Sequence, residues 1–231
     1  MDVILIPGFW LDAASWAPVT TALDEAGHRA HPLTLPGKVA PQGDVSGIGL
    51  RDHVDTVVAA LDALDGRVVL VGHSGGGAVI HAVADARPDR VARTVYVDSG
   101  PLGHGGVIND ELPVVDGGIP LPDWSAFGEE ELEGLDEQLR AHFREIALVE
   151  PAGVATEQQV LGDERRYGIP ATVITCSMPE AVLRGLIADG HPYVAELAAI
   201  TDVTVVELPT GHWPQLTRPD DLATAVVAAV G

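Results

Sequence analysis

Six short runs, five of them rich in β-branched residues, recur along the chain: Val3 to Ile6, Arg29 to Leu33, Val68 to Val71, Thr94 to Val97, Ala171 to Cys176 and Val203 to Leu208. Most are apolar without alternation, the pattern of strands buried on both faces. Helical spacing fills the intervals. Leu50, Val54, Val57, Val58, Leu61 and Leu64 trace one face, stopped by Gly66; a helix follows Ser15 and ends at Gly27; Ala78, Val79, Ala82 and Val83 share a face; Leu222, Val226, Val227 and Val230 mark the last helix. Alternating strands and helices predict an α/β fold: a mostly parallel six-stranded sheet with helices on both faces. Residues 100–168 break the rhythm. They hold no convincing strand, and a glycine- and proline-rich stretch precedes an acidic helical pattern from Trp124 to Ala147. A structureless loop of that length is improbable in a compact domain. The expected division is therefore a core of residues 1–99 and 169–231 with a helical cap insertion, 100–168, over the carboxyl edge of the sheet.

Composition narrows the function classes. A chain of 231 residues with 46% hydrophobic content suits one large α/β domain. The formal charge of −21 disfavours nucleic acid and anionic membranes as partners and favours a small, neutral or modestly polar molecule. Six acids between Glu129 and Glu137 read as a solvated helix face. No apolar run reaches membrane-spanning length, and the sequence opens on a strand without signal-peptide features, so a cytoplasmic protein is expected. The single cysteine, Cys176, ends an apolar strand and reads as a small buried residue. His28 and His31 point to opposite faces of a strand-like run, and the glycines from Gly72 to Gly77 lack the Lys-Ser/Thr ending of a phosphate loop; neither a metal nor a cofactor is expected. Oligomeric state is not written in these patterns.

The chemistry concentrates at Gly72-His73-Ser74-Gly75-Gly76, between the third run and a helix. Glycines on both sides let the chain reverse with Ser74 at the apex, and the Gly75 amide can donate to an oxyanion. A serine hydroxyl needs a base, and His212, in Thr210-Gly211-His212-Trp213-Pro214 just after the last strand, is the candidate. His28, His31 and His53 lie in early connections, His81 lies within a helix, and His104 and His191 are candidates for the pocket lining. A second oxyanion donor is expected from Phe9, in the turn Pro7-Gly8-Phe9-Trp10 after the first strand. Gly8, Trp10, His73 and Trp213 are expected to contact substrate. Leu102, Trp124, Phe127 and Phe143 fit either pocket wall or cap core.

These motifs, in this order and across nearly the whole chain, resemble the α/β-hydrolase superfamily, and within it the small capped esterases that include plant methyl-ester hydrolases and hydroxynitrile lyases. The resemblance implies a serine hydrolase that cleaves an ester through an acyl-enzyme. An alternative is a cofactor-free lyase or biosynthetic enzyme that uses the same Ser-His pair for proton transfer; a non-catalytic binding protein is a third, against which the retained serine and histidine argue. The resemblance also implies a triad acid after the strand before the last, nominating Glu180, although Ser177-x-x-Glu180 is equally a capping box. Asp98, ending the fourth strand in Asp98-Ser99-Gly100-Pro101, competes from a position that some members use, and its structural alternative is a turn aspartate. A histidine oriented by a backbone carbonyl or water is the third possibility.

Overall fold

The computed structural model describes residues 1–40 and 43–231. Eight strands run in chain order as β1 (Asp2–Ile6), β2 (Arg29–Pro32), β3 (Val68–His73), β4 (Val91–Val97), β5 (Gly118–Ile119), β6 (Glu150–Pro151), β7 (Ala171–Thr175) and β8 (Val203–Glu207). Six of them form one sheet in the order β2-β1-β3-β4-β7-β8, every neighbouring pair parallel. The six apolar runs of the sequence supply these strands. The chain moves outward from β1 to β2, then returns to place β3 on the other side of β1. That reversal puts the carboxyl ends of β1 and β3 side by side at the topological switch point.

Helices cover both faces. They are α1 (Ala17–Glu25), α2 (Leu50–Asp62), α3 (Gly75–Ala86), α4 (Glu137–Ile146), α5 (Ala152–Thr156), α6 (Glu180–Ala188), α7 (Ala195–Ala199), α8 (Pro214–Thr217) and α9 (Pro219–Val230). Alternation along the strands divides the core in two. Ile4, Ile6 and Leu70 pack toward α2 and α3 with Leu50, Val54, Val57 and Leu61. Val3, Leu5, Val69 and Val71 pack toward α1 and α9 with Val19, Leu23, Leu222 and Val226. Helix α3 departs from the one-faced reading of its sequence. Its residues from Gly75 to Ala84 are all buried, because it lies between the sheet, α2 and the segment that follows β4.

That segment, residues 100–168, also differs from expectation. It contains a two-stranded antiparallel ribbon, β5 with β6, and only α4 and α5 as α-helices. The acidic stretch from Trp124 to Ala147 is helical only at Trp124–Ala126, as a 3-10 turn, and in α4. Isolated turns occupy the interval, with Gly134 at φ 77°. Glu129 to Asp136 therefore form no solvated helix face; left-handed backbone at a glycine ends helical propagation before Asp136 restarts it by capping the Leu139 amide at 2.9 Å. No helix among the described residues is long and apolar enough to cross a membrane.

Candidate active site

Ser74 sits between β3 and α3 with φ 51° and ψ −124°, a conformation that costs a non-glycine residue about 1–3 kcal/mol. The neighbours force this path. A Cβ on Gly72 would lie 2.7 Å from the Gly76 carbonyl carbon, and one on Gly76 would lie 2.7 Å from the Ile6 oxygen. The elbow is held by the Ser74 amide donating to the Val97 oxygen (3.1 Å) and by the Ser99 hydroxyl donating to the Ser74 oxygen (2.6 Å).

His212 Nε2 is 2.8 Å from Ser74 Oγ, and its Nδ1 is 2.6 Å from Asp98 Oδ2. Asp98 stands at φ 39° immediately after β4. A carboxylate only accepts, so Nδ1 carries the proton and Nε2 is left to accept from the serine hydroxyl. Asp98 receives three more bonds: Oδ1 from the amides of Cys176 (2.8 Å) and Ser177 (2.9 Å), and Oδ2 from the Ser177 hydroxyl (2.7 Å). Burial alone would raise its pKa, but the bonds from His212, Ser177 and Cys176 outweigh it and hold the carboxyl at about 2. Glu180 lies elsewhere. It opens α6 and pairs with Arg184 at 2.6 Å, while Ser177, expected as its capping partner, turns to Asp98.

The loop carrying His212 is fixed through main chain. The amides of Gly211 and His212 donate to the oxygens of Glu133 (2.9 Å) and Glu131 (2.8 Å), in the turns before α4. His73 lies beneath. Its Nε2 donates to the His212 oxygen at 2.6 Å, which fixes its tautomer, and burial followed by the proximity of His212 lowers its pKa to about 3, so it is neutral.

The turn after β1, from which a second oxyanion donor is expected, is packed onto the elbow. A Cβ on Gly8 would fall 2.9 Å from Ser74 Cβ, and one on Gly75 would fall 2.6 Å from the Phe9 ring. The Gly75 amide, at the first position of α3, has no acceptor within its helix. Trp10, at φ 63°, donates its indole N–H to the Ile119 oxygen (3.0 Å) and its carbonyl accepts from Leu148 (2.9 Å). Its ring contacts Phe9, Phe127 and Trp213.

A cavity of about 650 Å³ opens beside Ser74 and His212. Its walls come from residues 98–108, from Glu131, and from the connection between β7 and β8, including Met178, Leu183 and Leu197. Leu102 and His104 line it, whereas His191 caps the amide of Tyr193. Gly8, Trp10, His73 and Trp213 do not line it; they are packed behind the reacting groups, because the aromatic rings fill the space between the oxyanion turn and α4. Trp124, Phe127 and Phe143 belong to that same cluster. The wall residue Glu196 is bonded by His81 (3.0 Å) and Arg166 (2.8 Å). Cys176 is buried, and burial pushes its thiol pKa up.

Sequence reasoning missed the support around these groups. Ser177 read as a helix cap for Glu180, and the Glu131 and Glu133 carbonyls carried no local signal, but Lys38 did: it is the chain's single lysine.

The comparisons with known proteins agree with this architecture. The chain is 30% identical, over 255 aligned positions covering 98% of both proteins, to a carbendazim hydrolyzing esterase of Nocardioides sp. strain SG-4G. It is 33% identical to a pyrethroid hydrolase of Sphingobium wenxiniae over 97 residues, 42% of this chain and 35% of that one. Among solved structures, an extracellular alpha/beta-hydrolase from a Paenibacillus species superposes with a TM-score of 0.79 at 23% identity, covering 100% of this chain and 99% of the other. A methylesterase from Arabidopsis superposes with a TM-score of 0.75 at 16% identity, covering 100% and 98%. The sequence model of the alpha/beta hydrolase family matches residues 3–225, and the chain accordingly belongs to the alpha/beta hydrolase family and is a hydrolase.

Proposed function

We propose that the protein is a serine esterase acting on a small, uncharged ester or related acyl compound. The relay from Asp98 through His212 to Ser74, at 2.6 and 2.8 Å, carries this reading. As Ser74 Oγ attacks the carbonyl carbon, His212 Nε2 takes its proton, and the imidazolium is stabilised by Asp98. The amides of Phe9 and Gly75 bind the oxyanion of the tetrahedral intermediate. His212 then donates the proton to the departing alcohol, leaving an acyl-enzyme. Water, deprotonated by the same imidazole, releases the acid.

Residues 100–168 act in this scheme as the cap, shaping one side of the substrate cavity. The apolar lining from Leu102, Ile108, Met178, Leu183 and Leu197 suits a hydrophobic ester, and the wall carboxylate Glu131 disfavours an anionic one. The names of two relatives, a carbendazim hydrolyzing esterase and a pyrethroid hydrolase, support an ester-cleaving reading.

The test is hydrolysis of p-nitrophenyl butyrate together with labelling by a serine-directed phosphonate. Ser74→Ala is expected to lose both, by at least about 10³-fold in kcat. Wild-type turnover surviving in Ser74→Ala would refute the nucleophile. Phosphonate labelling of Ser74 without an acyl burst would instead point to proton-transfer chemistry at the same pair.

A further inference from the structure

Of the cationic side chains, all but one are arginines, and the exception is Lys38. Only 1% of its side chain is exposed. Its Nζ lies 2.6 Å from Glu150 Oε2 and donates to the Gly8 oxygen at 2.8 Å. Glu150, fully buried on β6, also accepts from the Trp10 amide at 3.4 Å. The pair therefore grips the peptide groups on both sides of Phe9.

The geometry of a trans peptide gives this grip a direction. The Gly8 carbonyl and the Phe9 N–H belong to one planar group and point in opposite senses. An ammonium bonded to the carbonyl oxygen fixes the orientation of the N–H on the far side, and it draws electron density from that N–H, strengthening it as a donor. The peptide so held adjoins the serine, since a Cβ on Gly8 would come within 2.9 Å of Ser74 Cβ.

A stability role alone explains this poorly. Buried ion pairs are often replaceable by apolar residues of similar volume without loss, so a pair kept at this location needs another reason. Lysine also suits the task better than the arginine used elsewhere, because its compact ammonium presents three donors to one small pocket.

We propose that Lys38, braced by Glu150, is a positioning residue for the oxyanion, holding and polarising the Gly8–Phe9 peptide so that the Phe9 amide meets the developing negative charge. This rests on the esterase reading above. Because β6 supplies the brace, the segment after β4 contributes to transition-state binding as well as to the cavity wall.

The experiment compares wild type, Ser74→Ala, Lys38→Met and the double variant Lys38→Met/Glu150→Met on p-nitrophenyl butyrate, with kcat expressed per phosphonate-titrated site so that unfolded protein does not count, and for Ser74→Ala per folded protein by circular dichroism. Lys38→Met is expected to lose on the order of 10²-fold in kcat with KM changed by less than about threefold. Affinity for a trifluoromethyl ketone, whose serine hemiketal loads the oxyanion site, is expected to weaken by the same factor. Lys38→Met with kcat within about threefold of wild type overturns the proposal. If that variant fails to fold, the double variant decides, since it removes both charges at similar volume: low kcat in the folded double variant supports the proposal, and wild-type kcat overturns it. Absence of Ser74-dependent turnover in the wild type would be a failure of the esterase reading, and is distinguished by the Ser74→Ala control.

Discussion

Replacing Asp98 by asparagine tests the proposed relay with almost no change in shape. Asp98 Oδ1 accepts two backbone amides, from Cys176 at 2.8 Å and Ser177 at 2.9 Å, so an asparagine must leave its own oxygen there. Its NH₂ then occupies the Oδ2 position, facing His212 Nδ1 across 2.6 Å. A donor in that place forces Nδ1 to accept, which moves the imidazole proton to Nε2, pointing at Ser74 Oγ. The base is then the wrong tautomer to receive the serine proton. Substitutions of this kind lower kcat by about 10⁴-fold, equivalent to ~5.5 kcal/mol of transition-state stabilisation. Glu180→Gln, which disturbs only the pair with Arg184, is expected to change kcat by less than about twofold. Initial rates on p-nitrophenyl butyrate, normalised by phosphonate titration, measure both. An Asp98→Asn enzyme retaining more than about a tenth of wild-type kcat, or a Glu180→Gln enzyme falling below about a tenth of it, would refute the assignment.

Two further outcomes follow from packing and burial. Gly8→Ala places a methyl 2.6 Å from His73 Nδ1 and 2.9 Å from Ser74 Cβ, so the oxyanion turn must retreat from the elbow; kcat is expected to fall about 10²-fold with far-UV circular dichroism unchanged, and an unimpaired variant would contradict the close packing. His53 is buried with Nε2 on the Pro36 oxygen at 2.9 Å, and burial, aided by the charge of Lys38, lowers its pKa from 6.5 to about 4. Between those values the unfolded chain binds the proton that the folded chain refuses, so stability falls as pH drops, by about 3 kcal/mol over the full interval. Urea denaturation across pH 4 to 6.5 should show a shallower slope for His53→Gln than for wild type, and equal slopes would show that His53 is not the group responsible.

The sheet was legible because its central strands are buried on both faces and therefore largely apolar, as in Val68 to Val71. The meeting of Ser74 and His212 was legible because glycines and strand ends mark their positions. Which of Asp98 and Glu180 meets His212 was not, since each follows a parallel strand and the contact depends on the three-dimensional convergence of Ser177, Cys176 and His212 on one carboxylate. The interval from Glu129 to Asp136 misled because charge pattern alone says nothing of backbone path. Its helix is broken at Gly134, and its carbonyls serve residues some 80 positions away in sequence. The aromatic residues Trp10 and Trp213 read as pocket walls, but their rings found one another and left the cavity to Leu102, Leu183 and Leu197.

The attachment of the His212 loop to the Glu131 and Glu133 carbonyls uses no side-chain atom of either glutamate. Point substitutions at these two positions therefore leave the bonds themselves intact, while changes in chain length or a forced bend would not. Glu131 nevertheless faces the cavity. The Glu131 carboxylate also accepts from the Gly128 amide at 2.8 Å, so a library at position 131 preserves the histidine's anchorage only with side chains that keep an acceptor there, whereas insertions or deletions in the same turn would trade new specificity for a displaced histidine.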